Sequence, residues 1–392
     1  MKRLEIDADH AATTRTAPEV ERAMSPFFGE RFGNPSSVHS RGEAAHAALD
    51  AARRQVAALL GANSEEVAFT AGGSEANNLA LKGVMWAARG ERRRLVISAI
   101  EHPSVIETAR HLEARGVPVS VVPVERSGVL DPERLSASLG PDVALVSVMW
   151  VNNEIGTIQP VAELARRAHA AGARFHCDAV QAAGKLEIDV DEAGVDLLSI
   201  AGHKFHGPPG AGALWVRRGL KLVPLVHGGL QERGRRAGTE NLPALVGLGA
   251  AAERAARLLA AGEAMRVAAL GETLLTRLIA ALPGAALNGD RMKRLGSIVN
   301  LRLPGVDGEA ALHELDGEGI LVSTGSACSA ASPGPSHVLL ALGLGAEDAH
   351  ASVRFSLGED NREADVDTIV NVMPRIVERL RSLAGGGAAQ QR

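Results

Sequence analysis

Short apolar runs alternate with stretches of helical spacing over the first two-thirds of the chain. Leu49, Ala52, Val56 and Leu59 recur at helical spacing, and Gly61 closes that helix. Residues 67–70 read as a strand, followed by a Gly-Gly turn and a helix from about Ser74. Residues 94–99 form the next strand and run into Glu101, His102 and Pro103, which open another helix. Further strands are expected at 117–122, 143–148 and 174–177, with Pro160 in the first turn of a helix. Residues 196–200 and 213–216 read as a closely spaced pair on either side of Lys204. This alternation implies a largely parallel sheet covered on both faces, an α/β fold. Past Asn241 the texture changes to two long Ala/Leu-rich helical stretches, 242–261 and 264–282. Strand-like runs at 297–303, 320–323 and 352–357 follow, with helices between them, which suggests a smaller α+β domain. The end of the chain, 385–392, is rich in Gly, Ala and Gln and is expected to fray.

Composition narrows the class. The 392 residues are 46% hydrophobic and 22% charged, which is ordinary for a globular protein and long enough for two domains. A net charge of -4 gives no polybasic surface for nucleic acid or anionic lipid. No stretch approaches membrane-spanning length free of charge, and the first residues lack the apolar core of a signal peptide. Two cysteines, Cys177 and Cys328, are too few for a disulfide framework, so a cytoplasmic protein with reduced thiols is expected. The chain has no tyrosine, so stacking and proton transfer fall to His, Phe, Trp, Lys or Cys.

Several residues carry candidate chemistry, each with a plainer alternative. Lys204 follows Gly202-His203 at the end of an apolar run and suits an aldehyde cofactor held as a Schiff base. Cys328 lies among small residues and suits a mobile nucleophile, an inert buried thiol being the alternative. The stretch from Thr70 to Asn78 lies between strand and helix. Its small residues and free N–H groups favour phosphate, although a tight turn needs no ligand. Asp178 ends a strand and can hold a proton on a pyridine nitrogen, or simply cap a helix; Gln181 follows one turn later. A zinc site from His176, Cys177, His203 and His206 is a further option, opposed by the opposite facing of adjacent strand side chains. His102 can stack on a flat ring or move a proton, or serve as a cap. Asn153 sits just past a strand, where open α/β sheets bind ligands. Arg354, flanked by apolar residues, needs a partner: a substrate carboxylate or a structural acid.

Taken together, these motifs resemble the cysteine desulfurases among the class V, fold type I pyridoxal-phosphate enzymes. The matching stretches run in order from Asp7 and Ala12-Thr-Thr through Gly33-Asn-Pro-Ser-Ser, Glu101-His-Pro, Asn152-Asn-Glu-Ile-Gly and Asp178-Ala-Val-Gln. They continue through Gly202-His-Lys, Arg236-Ala-Gly-Thr-Glu-Asn and Gly325-Ser-Ala-Cys to Ser356-Leu-Gly, so nearly the whole chain is covered. The resemblance implies a large domain at 16–258 with a mostly parallel seven-stranded sheet. It also implies a small domain from 1–15 and 259–384, and a flexible tail at 385–392. It implies that Lys204 holds pyridoxal 5'-phosphate, with Asp178 on the pyridine nitrogen, Gln181 on the phenolic oxygen and His102 on the ring. Gly73, Ser74 and His203 would hold the phosphate, joined by Thr239 from the neighbouring subunit of a homodimer. Asn153 and Arg354 would fix the carboxylate of L-cysteine. Cys328 would take the sulfur as a persulfide and pass it to an acceptor such as an iron–sulfur scaffold protein; it is also a candidate transient cluster ligand.

The chain departs from the family pattern in places. Ala201 stands where the family usually has a serine three residues before the lysine, and Pro209 replaces a common lysine. The missing charge-assisted hydrogen bond to phosphate is worth about 1.5–3 kcal/mol unless another donor replaces it. Rival readings are a selenocysteine lyase, another class V aminotransferase or lyase, and a non-catalytic sulfur carrier. A nicotinamide oxidoreductase is disfavoured, since no Gly-x-Gly-x-x-Gly opens the first βα unit.

Overall fold

The computed structural model describes residues 5–88, 90–324 and 334–389, with side chains described up to residue 383. The strands, in chain order, are β1 (Ile6–Asp7), β2 (Val67–Thr70), β3 (Arg94–Ser98), β4 (Val119–Val122), β5 (Val143–Ser147) and β6 (Arg174–Asp178). They continue with β7 (Leu197–Ala201), β8 (Gly212–Val216), β9 (Ala286–Leu287), β10 (Ile298–Arg302), β11 (Ile320–Leu321) and β12 (Ser352–Ser356).

Seven strands form one sheet in the order β2-β8-β7-β6-β5-β3-β4. All neighbours are parallel except β8, which runs antiparallel to both β2 and β7. Apolar residues alternate between the two faces as the strand period requires. Leu95, Ile97, Leu197, Leu214 and Val216 pack into one core cluster. Val96, Leu198, Ala213 and Trp215 pack into the other. Helices α1 (Gly73–Ala87) and α2 (Pro103–Glu113) bury Leu79, Val84, Val105 and Leu112 on the first face. The long helices Ser40–Leu59 and Leu242–Ala260 cover the second. A separate cluster lies under the sheet β12-β10-β9 and the parallel pair β1-β11, where Leu274, Val299, Val353 and Phe355 meet. The last helix spans Glu363–Ala389, so the backbone stays helical through residues whose composition suggested fraying. Adding a residue to an existing helix is far easier than nucleating one, which lets this long helix continue through Gly and Ala.

The edge strand β2 leads into the Gly72–Ser74 turn and is fixed from outside the sheet. Its Phe69 N–H donates to Glu232 Oε2 at 2.8 Å. Arg53 holds the same carboxylate in a two-point ion pair, at 2.5 Å and 2.9 Å, with both side chains buried. Glu232→Ala strands the Arg53 guanidinium and the edge N–H together. The expected loss is about 3–5 kcal/mol, the cost of breaking a buried pair by removing one partner, read from urea unfolding of the variant against the parent.

Candidate active site

The carboxyl ends of β3, β5, β6 and β7 open at one edge of the sheet. The chain leaves β3 for β4 on one side, while β5 connects to β6 on the other, so the loops after β3 and β5 diverge and leave a crevice. A cavity of about 270 Å³ lies there. His102 enters it from the loop after β3, Asn153 from beyond β5, Asp178 from the end of β6 and Lys204 from the turn after β7. Gly73, Ser74, Gln181, His203 and Arg354 line it as well. Thr239 stands outside this cavity, exposed on its own chain, and Cys328 lies outside the described residues.

A polar network runs across the cavity floor. Asn77 Nδ2 donates to Asp178 Oδ2 at 2.7 Å and to Ser104 Oγ at 2.9 Å. The Val180 N–H donates to Asp178 Oδ1 at 3.0 Å. His102 Nδ1 lies 2.8 Å from Ser104 Oγ and accepts from the Ser104 N–H at 3.1 Å. A backbone N–H can only donate, so Nδ1 carries the lone pair and the neutral ring carries its proton on Nε2. Burial holds His102 below the ordinary histidine range, the charge of Lys204 acting the same way and that of Asp178 against it. In this arrangement His102 offers a hydrogen-bond donor; its lone pair is already occupied by Ser104.

Lys204 Nζ donates to the Ala11 and Ala12 carbonyls at 2.8 Å and 2.6 Å. Gln181 Nε2 donates to the same Ala11 carbonyl at 2.8 Å. Arg354 is fully buried in β12; its Nη2 pairs with Asp9 at 2.6 Å and its Nη1 donates to the Asn153 carbonyl at 2.9 Å. The partner that an arginine in an apolar strand requires is therefore Asp9, with Arg354 still facing the cavity. His203 Nδ1 lies 3.1 Å from Thr13 Oγ1, and burial with the nearby Lys204 charge pushes this histidine down to about 4. The zinc alternative fails on geometry: His176 spends both ring nitrogens on Ser147 and Ser199, at 2.8 Å and 2.9 Å, and Cys177 faces the apolar core.

The described residues on either side of 325–333 bond to Arg354 of this site and to the chain neighbours of Asn153 and His102. Ser323 and Arg354 exchange backbone hydrogen bonds at 3.1 Å and 2.7 Å. On the far side, Ser336 Oγ donates to buried Glu154 at 2.5 Å, and His337 Nε2 donates to the Glu101 carbonyl at 2.9 Å.

The family described as aminotransferase class-V matches residues 7–369. The chain belongs to that family. A cysteine desulfurase IscS of Dictyoglomus turgidum is 44% identical over 384 residues, covering 98% of this chain and 97% of the relative. A solved NifS-like protein superposes with a TM-score of 0.89 at 35% identity, covering 96% and 99% of the two chains. A solved structure of SspA in complex with cysteine superposes with a TM-score of 0.80 at 36% identity, covering 90% and 99% of the two chains.

Class-V enzymes of this kind depend on pyridoxal phosphate, and the donor set here fits that group. A primary amine (Lys204), a carboxylate (Asp178) and an amide (Gln181) converge on one cavity, with an imidazole (His102) among them. Helix α1 starts beside it with no side-chain cap, leaving its first N–H groups for an anion. Gly72 has φ +148, where a side chain is disfavoured. A Cβ on Gly73 would stand 2.7 Å from Val180 Cγ2, so only glycine lets the helix start approach the turn after β6. Ala201 lines the same cavity and brings no hydroxyl.

Sequence reasoning assigned no role to Asn77, Glu101 or Asp9. Asn77 sits one helical turn beyond Gly73, and a polar residue among the apolar positions of that helix is the signal that could have found it. Glu101 is fully buried: Oε1 accepts from Ser98 at 2.5 Å and from the Met149 N–H at 2.9 Å, while Oε2 has no partner among the described residues. Burial, with the Asp178 charge adding, pushes its carboxyl up to about 8.

Two outcomes follow from this geometry. Asn77→Ala removes donors from both Asp178 and Ser104 and is expected to weaken cofactor retention about tenfold or more, measured by dialysis against apoenzyme. Glu101 binds its proton more tightly folded than unfolded, so its contribution is full below the unfolded value of 4.5 and is lost as pH rises toward about 8. Glu101→Gln, which does not titrate, should therefore lose less stability between about pH 5 and about pH 8 than the parent, as read by denaturant unfolding at each pH.

Proposed function

We propose that the chain is a cysteine desulfurase. It converts L-cysteine to L-alanine and captures the sulfur on Cys328 as a persulfide. The observation that carries this reading is the convergence of Lys204, Asp178, Gln181, His102 and Arg354 on one cavity, in a chain 44% identical over nearly its whole length to a cysteine desulfurase. Pyridoxal phosphate, when bound, would supply an electron sink for the substrate.

The protein's own residues do the rest. Lys204 would hold the cofactor through its amine, and the same amine is the base placed to move the substrate α-proton. Asp178, fixed by Asn77 and Val180, would hold a proton on the pyridine nitrogen, and the Gln181 amide would donate to the phenolic oxygen. His102, a neutral imidazole, would stack on the cofactor ring. Gly73, Ser74 and His203 would hold the phosphate, joined by Thr239 from the partner of a homodimer. Arg354 and Asn153 orient the substrate carboxylate, which competes with Asp9 for the guanidinium. Cys328 attacks as thiolate: a sulfur–sulfur bond forms, the carbon–sulfur bond breaks, and its electron pair stays with the carbon fragment, which is protonated to alanine. The net change is cysteine plus thiol to alanine plus persulfide, with no external oxidant or reductant. Ser323 bonds to Arg354, and Ser336 and His337 bond to Glu154 and Glu101, the chain neighbours of Asn153 and His102, which supports the assignment of Cys328 between them.

Among the described residues no helix is long and apolar enough to cross a membrane. We place the enzyme in the cytoplasm, handing sulfur to an acceptor protein for iron–sulfur or thio-cofactor synthesis. Lys204→Ala is expected to lose the visible absorbance of the bound cofactor. Cys328→Ser should keep that absorbance yet gain no sulfur by intact-mass measurement after incubation with L-cysteine. Full alanine production by Cys328→Ser, or a keto-acid product from the parent, would overturn the assignment.

A further inference from the structure

Lys185 follows Gln181 by one turn and has no part in the chemistry above. It is half-buried, and among the described residues it pairs with no carboxylate. Its Nζ instead donates to Gln181 Oε1 at 2.7 Å. The other end of the same amide, Nε2, donates to the Ala11 carbonyl at 2.8 Å, and that carbonyl also accepts from Lys204 Nζ at 2.8 Å.

An amide side chain can present either its oxygen or its NH2 to a neighbour, and a phenolic oxygen that has lost its proton accepts only from the NH2. The ammonium of Lys185 has donors and no acceptor, so it selects the Gln181 oxygen. The Ala11 carbonyl has no donor, so it selects the nitrogen. Both constraints choose one orientation, with the NH2 beside Lys204. We propose that Lys185 is a positioning residue: it locks the Gln181 amide with its NH2 toward the Lys204 side of the cavity and adds positive charge behind it.

This inference rests on the pyridoxal-phosphate reading of the cavity. Lys204, Arg354 and His203 are the charged or titratable groups facing Lys185 from the cavity side. From the smaller cavity behind it come His10, His206, Arg254, Glu263 and Glu359. Arg254 occupies Glu359, and Arg266 occupies Glu263, which leaves Lys185 to the Gln181 amide. Burial, with the Lys204 and Arg354 charges adding, pushes Lys185 down to about 7, so the ammonium that selects the Gln181 oxygen and carries the charge is the form held below that pH.

The test is a pH titration of the visible absorbance of the cofactor-loaded enzyme, which reports proton binding at the Lys204 nitrogen. Removing Lys185 takes away its charge and one of the two constraints on the Gln181 amide, the Ala11 carbonyl being the other, and both losses favour that proton. In Lys185→Met the midpoint is therefore expected to rise by about one pH unit. Lys185→Gln, which can face Gln181 with either end, should move it the same way and serves if the methionine variant does not fold. Lys185→Arg keeps charge and donors and should return the midpoint toward the parent value. An unchanged midpoint in the loaded Met or Gln variant overturns the proposal. A midpoint that moves in Gln181→Leu but not in the Lys185 variants refutes this inference alone, whereas a parent protein that takes up no chromophoric cofactor refutes the reading on which it rests.

Discussion

Parallel strand pairing is the constraint on which the rest of this structure depends. Strands β3, β5, β6 and β7 point the same way, so the residues that follow them emerge at one edge of the sheet. That edge gathers His102, Asn153, Asp178 and Lys204 from positions spread over a hundred residues of chain. The antiparallel strand β8 adds a short return after Lys204, and its pairing with β2 brings the glycine-rich start of α1 beside the lysine turn. A Cβ on Gly212 would meet Gly72 at 2.7 Å, so the two turns are in direct backbone contact.

Gathering polar groups in so dry a place has consequences for their charge. Desolvation disfavours every ion, and the site meets this partly with hydrogen bonds and partly by neutralising groups. Asp178 is held by two N–H donors, and Arg354 by a carboxylate and a carbonyl. Glu101, Glu154, His102 and His203 are instead displaced toward their neutral forms by burial. Glu154, pushed up to about 7, also holds Ser336, so one buried acid links the loop bearing Asn153 to the chain that follows residue 333.

Much of this was legible in the chain before any coordinates. The alternation of apolar runs located the strands, because strand and helix periods differ and each leaves its own spacing. The positions just past those runs pointed to His102, Asn153, Asp178 and Lys204, since open α/β sheets bind ligands there. Asn77 and Lys185 were not legible as functional residues. A buried asparagine inside a helix and a lysine one turn past a glutamine look ordinary until their partners are known. Arg354 was legible as a residue in need of a partner, but Asp9 lies 345 residues away, and no local rule connects the two.

The sequence by itself determined the elements, the order of the motifs and the kinds of group available, because backbone propensity and hydrophobic period act over a few neighbouring residues. Only the tertiary structure decided which nitrogen of His102 carries the proton, which way the Gln181 amide turns and which acid answers Arg354. Those choices depend on distances of about three ångströms between groups far apart in the chain, and such distances exist only once the sheet has closed over both of its faces.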